Sequence, residues 1–386
     1  MGKSQARLYV LCGYILLFAL GFITGGNQLI LLDVANEFGL DNTGIGILAA
    51  MQYAAMIPAT LLFGGLTARM SKKKVLCIFG TIVAVGTAIG CLAGGAVVVA
   101  VSIFIFGIGF ALVNGTTAAA LMETAPDKSN TFTNMSQIFL SIGSVISPII
   151  LGRLMDNGMN WRLHFVIGAL LFAVALVLFG CTKYKALIPK APAPRQTARK
   201  KGAFGLLIFL MALSIGLYVA MESGQVYFTK PYYINELNDE ANAALSLSLI
   251  WLSMIPSRLL ASRIHKHKAV LVCGGFCLAA VACLLTALVR IPGVSLVWSA
   301  LFGFAAGPVF PTIMSAAMDA HPAHTGHASN LLLTSAGIFG VISNVSMGAV
   351  SDAIGIGNGF FMVVAFALAG ALVFFLANRR SAKVSA

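Results

Sequence analysis

Glu222 is the only acidic residue that falls well inside one of the long apolar runs of this chain. An ionisable group at membrane depth is costly unless it meets a partner or faces a water-filled space, so it marks function. Burial favours the neutral form of a carboxyl, and a group that can switch between neutral and charged can carry a proton. Tyr218 lies four residues before Glu222 and Gln225 three after it. That spacing sets all three on one helix face, which is expected to look into a cavity. The alternative is a permanently neutral carboxyl bonded across helices.

Neutral hydrogen-bonding side chains recur in the other apolar runs: Asn27, Gln28, Gln52, Asn114, Gln137, Asn330 and Asn344. Carboxamides both donate and accept, which suits hydroxyl-rich or zwitterionic solutes. Tyr53, Tyr218, Tyr227 and Trp251 could add ring faces for stacking on a sugar. Asn27, Gln28, Asn114, Gln137, Tyr218, Gln225, Trp251 and Asn330 are taken as the solute contacts, and Glu222 as the proton-coupling group. Amides at these positions could instead bond helix to helix.

Other chemistries find little support. There is no G-x-x-x-x-G-K-[ST] phosphate loop and no Ser/His or Cys/His constellation, so neither an ATP-driven pump nor an enzyme is indicated. The seven cysteines read as small apolar residues, and His321, His324 and His327 as a solvated loop. No metal and no cofactor are expected.

The elements that position these residues follow from composition. The 386 residues are 59% hydrophobic and 10% charged, with a mean hydropathy of +0.93. A soluble domain carries about 25% charged residues, so lipid is the solvent that fits. Apolar runs long enough to span a bilayer fall near 8–32, 43–67, 74–94, 97–121, 131–153, 163–182, 204–229, 241–262, 269–290, 294–318, 327–350 and 357–377. The first is read as a span, too long for a cleaved leader. The expected architecture is an all-α polytopic membrane protein: twelve transmembrane helices in two pseudo-symmetric six-helix bundles. Residues 1–182 form the first bundle, 183–203 a basic linker and 204–386 the second bundle. With both termini on one side, 21 of the 25 Lys and Arg residues fall on that side. The positive-inside rule then makes the termini cytoplasmic and the setting an inner cell membrane. The same asymmetry accounts for the net charge of +13 without nucleic acid.

Two junctions carry a resemblance. After the second run the chain reads Gly64-Gly65-Leu66-Thr67-Ala68-Arg69-Met70-Ser71-Lys72-Lys73-Lys74. This resembles the loop 2–3 signature of the major facilitator superfamily, with Ala68 in place of the acidic residue. The fifth run, with Gly143, Ser147, Pro148 and Gly152, resembles that superfamily's proline–glycine pattern, and the segment from Trp161 to Phe165 is similar to another of its features. Tyr218-Val219-Ala220-Met221-Glu222-Ser223-Gly224 and Phe310-Pro311-Thr312-Ile313-Met314-Ser315 resemble segments of the fucose permease-like symporters. Asn27-Gln28 stands where those sugar permeases carry an acid.

The resemblance implies alternating access, with Arg69, Lys72, Lys73 and Arg258 as cytoplasmic gating cations that meet helix C-termini and acids of the other half. It implies proton-coupled symport of a small polar solute such as a sugar, with the solute, protons and the bilayer as partners, by a monomer. The competing expectations are a proton-driven exporter of drugs or metabolites and a sensor on a transporter fold. Topology is checked with a cysteine at Ala193 in the linker: it should react with a membrane-impermeant maleimide only after the cells are opened. Labelling in intact cells would invert the arrangement.

Overall fold

The computed structural model describes residues 3–66, 70–122, 129–183, 201–264, 267–320 and 325–385. Arg69, His321, His324 and most of the basic linker lie outside the described residues, as does the side chain of His327. The described residues are helical throughout, joined by short turns. Twelve helices are long and apolar enough to cross a bilayer: Gln5–Phe38, Asn42–Phe63, Lys72–Leu92, Ala96–Leu121, Met135–Asp156, Leu163–Cys181, Gly205–Asn235, Glu240–Ser262, Lys268–Leu288, Pro292–Ala320, Ala328–Ile354 and Ile356–Arg380. They match the twelve apolar runs one for one and are numbered spans 1 to 12 below. The face that carries the termini is called inner and the opposite face outer.

Local chemistry sets the ends. Asp41 caps span 2, its Oδ1 accepting from Gly44 N at 2.8 Å. Asp239 does the same for span 8 through Asn242 N at 3.3 Å. These side chains satisfy amides that no helical carbonyl can reach. Span 10 is interrupted between Ala306 and Val309. Pro308 and Pro311 lack N–H groups, so carbonyls one turn before them are released from the helical ladder. The Gly307 carbonyl is one of these.

Spans 1 to 6 pack among themselves, chiefly as 1 on 5, 1 on 6, 3 on 4 and 2 on 4. Spans 7 to 12 repeat this as 7 on 11, 7 on 12, 9 on 10 and 8 on 10. The two sets meet mainly along span 2 against span 11 and span 5 against span 8. Gly143 lets spans 5 and 1 close up: a Cβ there would stand 2.1 Å from Phe18 O. Small residues allow this backbone approach in membranes, where packing rather than water drives association.

Three charges depart from expectation. Spans 1 and 7 run on to Phe38 and Asn235, which draws Asp33 and Lys230 into helices rather than loops. Arg258 is no loop cation either: it lies inside span 8 and is 3% exposed. The inner-face count of basic residues loses that one member, and the asymmetry survives.

The outer ends of spans 2 and 11 touch. Asp352 accepts from Asn42 N at 3.0 Å, Thr43 N at 2.8 Å and Thr43 Oγ1 at 2.6 Å. A carboxylate of the second set thus sits on the N-terminus of a helix of the first, where the helix dipole favours it. Below it, a Cβ at Gly46 would stand 2.2 Å from Asn344 O. A backbone carbonyl cannot yield that space, so Gly46→Val should keep the outer ends apart. Spin labels at Gly94 and Gly293, both in open surroundings, should gain a longer-distance population by electron–electron resonance. An unchanged distribution would show that the contact does not limit closure.

Candidate functional site

The site is built around Glu222. Tyr218 Oη donates to Glu222 Oε1 at 2.8 Å, one helical turn apart as the spacing requires. Glu222 is half-buried, within reach of the charge of Arg258 from span 8. The Tyr218 ring is held edge-on to Phe276 of span 9 and tilted against Phe310 of span 10.

Arg258 enters this site from span 8. Its Nε donates to Gly307 O at 3.0 Å, the carbonyl freed because Pro311 four residues on has no N–H. Its Nη1 donates to Gln137 O at 3.1 Å and also to Ser141 Oγ, both on span 5. The Tyr218 hydroxyl lies between this guanidinium and Glu222, and the guanidinium charge acts on both. The cation is therefore satisfied by neutral acceptors across the interface while a carboxyl stands within its field. No sequence spacing links positions 222 and 258; only the packing of spans 7, 8 and 10 does.

The proposed solute contacts separate into groups. Gln28 and Trp251 come together between the sets of spans, Trp251 Nε1 donating to Gln28 Oε1 at 2.9 Å. Gln137 Nε2 donates to Asn114 Oδ1 at 3.4 Å, and both side chains are half-buried. Asn27 turns away: its Oδ1 accepts from His164 Nε2 at 2.9 Å, a bond between spans 1 and 6 of the same set. Gln225 also turns away, since its Oε1 accepts from the Cys283 thiol on span 9 at 3.3 Å. The expected shared cavity face of Tyr218, Glu222 and Gln225 thus loses its third member. The Asn330 amide packs on Gly64 at the inner end of the span 2 and span 11 contact. Lys72 donates to Ala119 O at 3.4 Å and Lys73 to Thr182 O at 2.5 Å. Those carbonyls close spans 4 and 6, so these bonds stitch the first half to itself.

Three contacts join residues that the sequence did not pair. Tyr227 Oη donates to Gln52 Oε1 at 3.2 Å, joining spans 7 and 2, and the Tyr227 ring meets Tyr53 edge to face. Lys230 Nζ pairs with Asp33 Oδ2 at 2.5 Å, joining spans 7 and 1. Asp352 caps span 2. Opposite charges at 33 and 230 are a signal that helix lengths hid.

Two six-span sets that meet through polar side chains, with a carboxyl inside one span, are the architecture of a membrane transporter, and the family comparison agrees. The sequence model of the Major Facilitator Superfamily matches residues 10–343, and the chain belongs to that family. It is 25% identical over 379 residues to a glucose/galactose transporter of Brucella abortus biovar 1 (strain 9-941), covering 91% of this chain and 89% of that one. The same figures hold for the glucose/galactose transporter of Brucella abortus (strain 2308). Among solved structures it resembles a bacterial homolog of the human lysosomal transporter Spinster, described as inward-facing and unoccupied: TM-score 0.77, 15% identity, 100% of this chain and 99% of that one. The E. coli fucose:proton symporter FucP gives TM-score 0.67 and 19% identity over 97% and 98% of the two chains. The human organic anion transporter MFSD10 gives 0.73 and 16% over 97% and 99%. The structural likenesses establish the fold.

The Asp33–Lys230 pair yields a stability prediction. The two side chains are 29% and 8% exposed. Breaking such a pair should cost about 2 kcal/mol, between the ~1 of an exposed pair and the ~3–5 of a buried one. Lys230→Met should lose that amount, and adding Asp33→Asn should recover part of it. A double-mutant cycle on thermal unfolding in detergent measures it, and additive losses would mean the charges do not interact.

Proposed function

We propose that this protein is a proton-coupled symporter of a small polar solute, a hexose in the first instance, with Glu222 as the coupling group. The observation that carries the reading is the half-buried Glu222 carboxyl inside span 7, with the Tyr218 hydroxyl 2.8 Å away and the Arg258 cation beyond it. Neutral Glu222 leaves Arg258 to its span 5 and span 10 acceptors. Ionised Glu222 gains a nearby cation, which lowers the cost of holding a negative charge at that depth. The proton can therefore be taken up and released without leaving an isolated charge.

Alternating access follows from two interfaces whose contacts differ in number between faces. The Asp33–Lys230 and Asp352 contacts join the bundles on the outer side, and the Thr60–Thr334 hydrogen bond, Asn330 on Gly64 and Arg258 on span 5 join them toward the inner side. The termini, read as cytoplasmic from the distribution of positive charge, put that side in the cytoplasm, and the lysines behind Arg69 act there as gating cations. The hexose assignment draws on the two Brucella abortus relatives, named for glucose and galactose. Arg258 does not ask for an anionic solute, because protein acceptors already occupy its donors. A monomer contains the whole site, since both sets of spans belong to one chain.

Glu222→Gln keeps the shape of the side chain but cannot titrate. In proteoliposomes with an imposed pH difference, it should abolish accumulation of radiolabelled D-glucose or D-galactose above equilibrium. Exchange of the same sugar down its own gradient should persist within a few-fold of the native rate. Continued uphill transport by the Gln variant would move the coupling site elsewhere. Native protein that neither accumulates nor exchanges any hexose would overturn the sugar assignment itself.

A further inference from the structure

The two halves of the chain repeat with a measurable register. Spans 2 and 8 begin 198 residues apart. The capping residues Asp41 and Asp239 are 198 apart, as are the helix-interior prolines Pro58 and Pro256. Two hydrogen bonds between the bundles follow this register to within one residue. Trp251 Nε1 donates to Gln28 Oε1 at 2.9 Å, and Tyr227 Oη donates to Gln52 Oε1 at 3.2 Å. Position 227 lies 199 after 28, and position 251 lies 199 after 52. The second bond is therefore the first one turned about the pseudo-twofold. The span 1 amide meets the span 8 ring, and the span 2 amide meets the span 7 ring. Both carboxamides belong to the first bundle and both aromatic donors to the second.

Depth distinguishes these bonds from a gate. Gln52 and Trp251 stand at the middle of spans 2 and 8. Gln28 lies five residues inside Asp33, about 7.5 Å nearer the centre along the helix. The ion pair and the Asp352 cap hold the outer face; the two amide–aromatic pairs hold the midplane, where proteins of this architecture carry solute. All four side chains are nearly covered: Gln28 4%, Gln52 3%, Trp251 5% and Tyr227 2% exposed. When the bundles part on the outer side, both bonds break together, and four polar groups must find other partners in the opened cleft. Leaving them unpaired is unfavourable. A hydroxyl placed between the members of a pair replaces what is lost, donating to the carboxamide oxygen and accepting from the indole N–H or phenol O–H. The rings meanwhile offer apolar faces to C–H groups of the same molecule.

We propose that Gln28–Trp251 and Gln52–Tyr227 together form a solute site for a neutral polyhydroxylated molecule. The protein's own pairing stands in for the solute when the outer face is shut, and the solute inserts hydroxyls into both pairs when it is open. The site grips a ring-sized molecule at two ends related by the pseudo-twofold. Charged solutes are disfavoured because all four contacting groups are neutral. This rests on the sugar reading above and adds the residues that read the sugar.

The chain has three tryptophans, so Trp161→Phe with Trp298→Phe leaves Trp251 as the only indole. D-glucose, D-galactose and L-fucose are titrated against its emission in detergent, alongside radioligand binding of the same sugars. If the double variant does not fold, the difference between native and Trp251→Phe fluorescence gives the same signal. The expected result is a saturable emission change matching the radioligand affinity. Tyr227→Phe and Gln52→Leu should each weaken binding about tenfold, the change expected from one lost solute hydrogen bond, with unfolding temperatures near the native value. Sugar binding by the native protein that leaves Trp251 emission unchanged, or that survives Tyr227→Phe and Gln52→Leu at full affinity, reduces the two pairs to interface rivets and overturns this proposal alone. Absence of binding of all three sugars to the native protein overturns it together with the sugar reading.

Discussion

Polar atoms withdrawn from water must find partners inside the protein, and this constraint shapes every contact between the two bundles. The bundles do not meet through a continuous apolar face. They meet through a guanidinium on a carbonyl and a serine hydroxyl of span 5, a carboxylate on a helix N-terminus, a lysine on an aspartate and two amides on aromatic donors. Each bond joins one bundle to the other and can be made only while they are in contact. A transporter needs such contacts, because an equilibrium between two faces can be biased only by interactions that differ between them.

Arg258 illustrates how the chain manages a charge in the membrane interior. A lone guanidinium there would be expensive. Pro311 removes the helical partner of Gly307 O, and that carbonyl receives Nε. Span 5 supplies Ser141 Oγ and Gln137 O. The break in span 10 is thus tied to the position of the cation, and the cation is tied through Tyr218 to Glu222. A proline, an arginine, a tyrosine and a glutamate from three spans act as one electrostatic unit.

Internal duplication gives the interface its economy. A contact between spans 2 and 11 has a counterpart between spans 8 and 5, and a contact between spans 1 and 8 has one between spans 7 and 2. The Gln–aromatic pairs keep this symmetry in position and in bond type. Arg258 and the Asp33–Lys230 pair depart from it, which gives the two bundles different charges to move against each other. Symmetry supplies the scaffold of the interface, and departures from it supply direction.

The sequence by itself determined the number of spans, their order, the doubled layout and the side on which positive charge gathers. Those properties depend on local hydrophobicity and on loop charge, both of which can be read one segment at a time. It also singled out Glu222, because a lone acid in an apolar run is conspicuous whatever surrounds it. Helix periodicity placed Tyr218 beside it, and the hydroxyl does donate to the carboxyl. The same reasoning could not separate Gln28 from Asn27, since adjacent residues on a helix point in directions that only neighbouring helices give meaning to. One meets Trp251 across the bundles, and the other meets His164 within its own. Nor could it find Arg258 beside Glu222, or Lys230 beside Asp33, because partners 36 and 197 residues apart along the chain are joined by packing alone. The tertiary structure decided which polar residues face the other bundle, because that depends on how each helix is rotated, and rotation is fixed by close packing at positions such as Gly46 and Gly143.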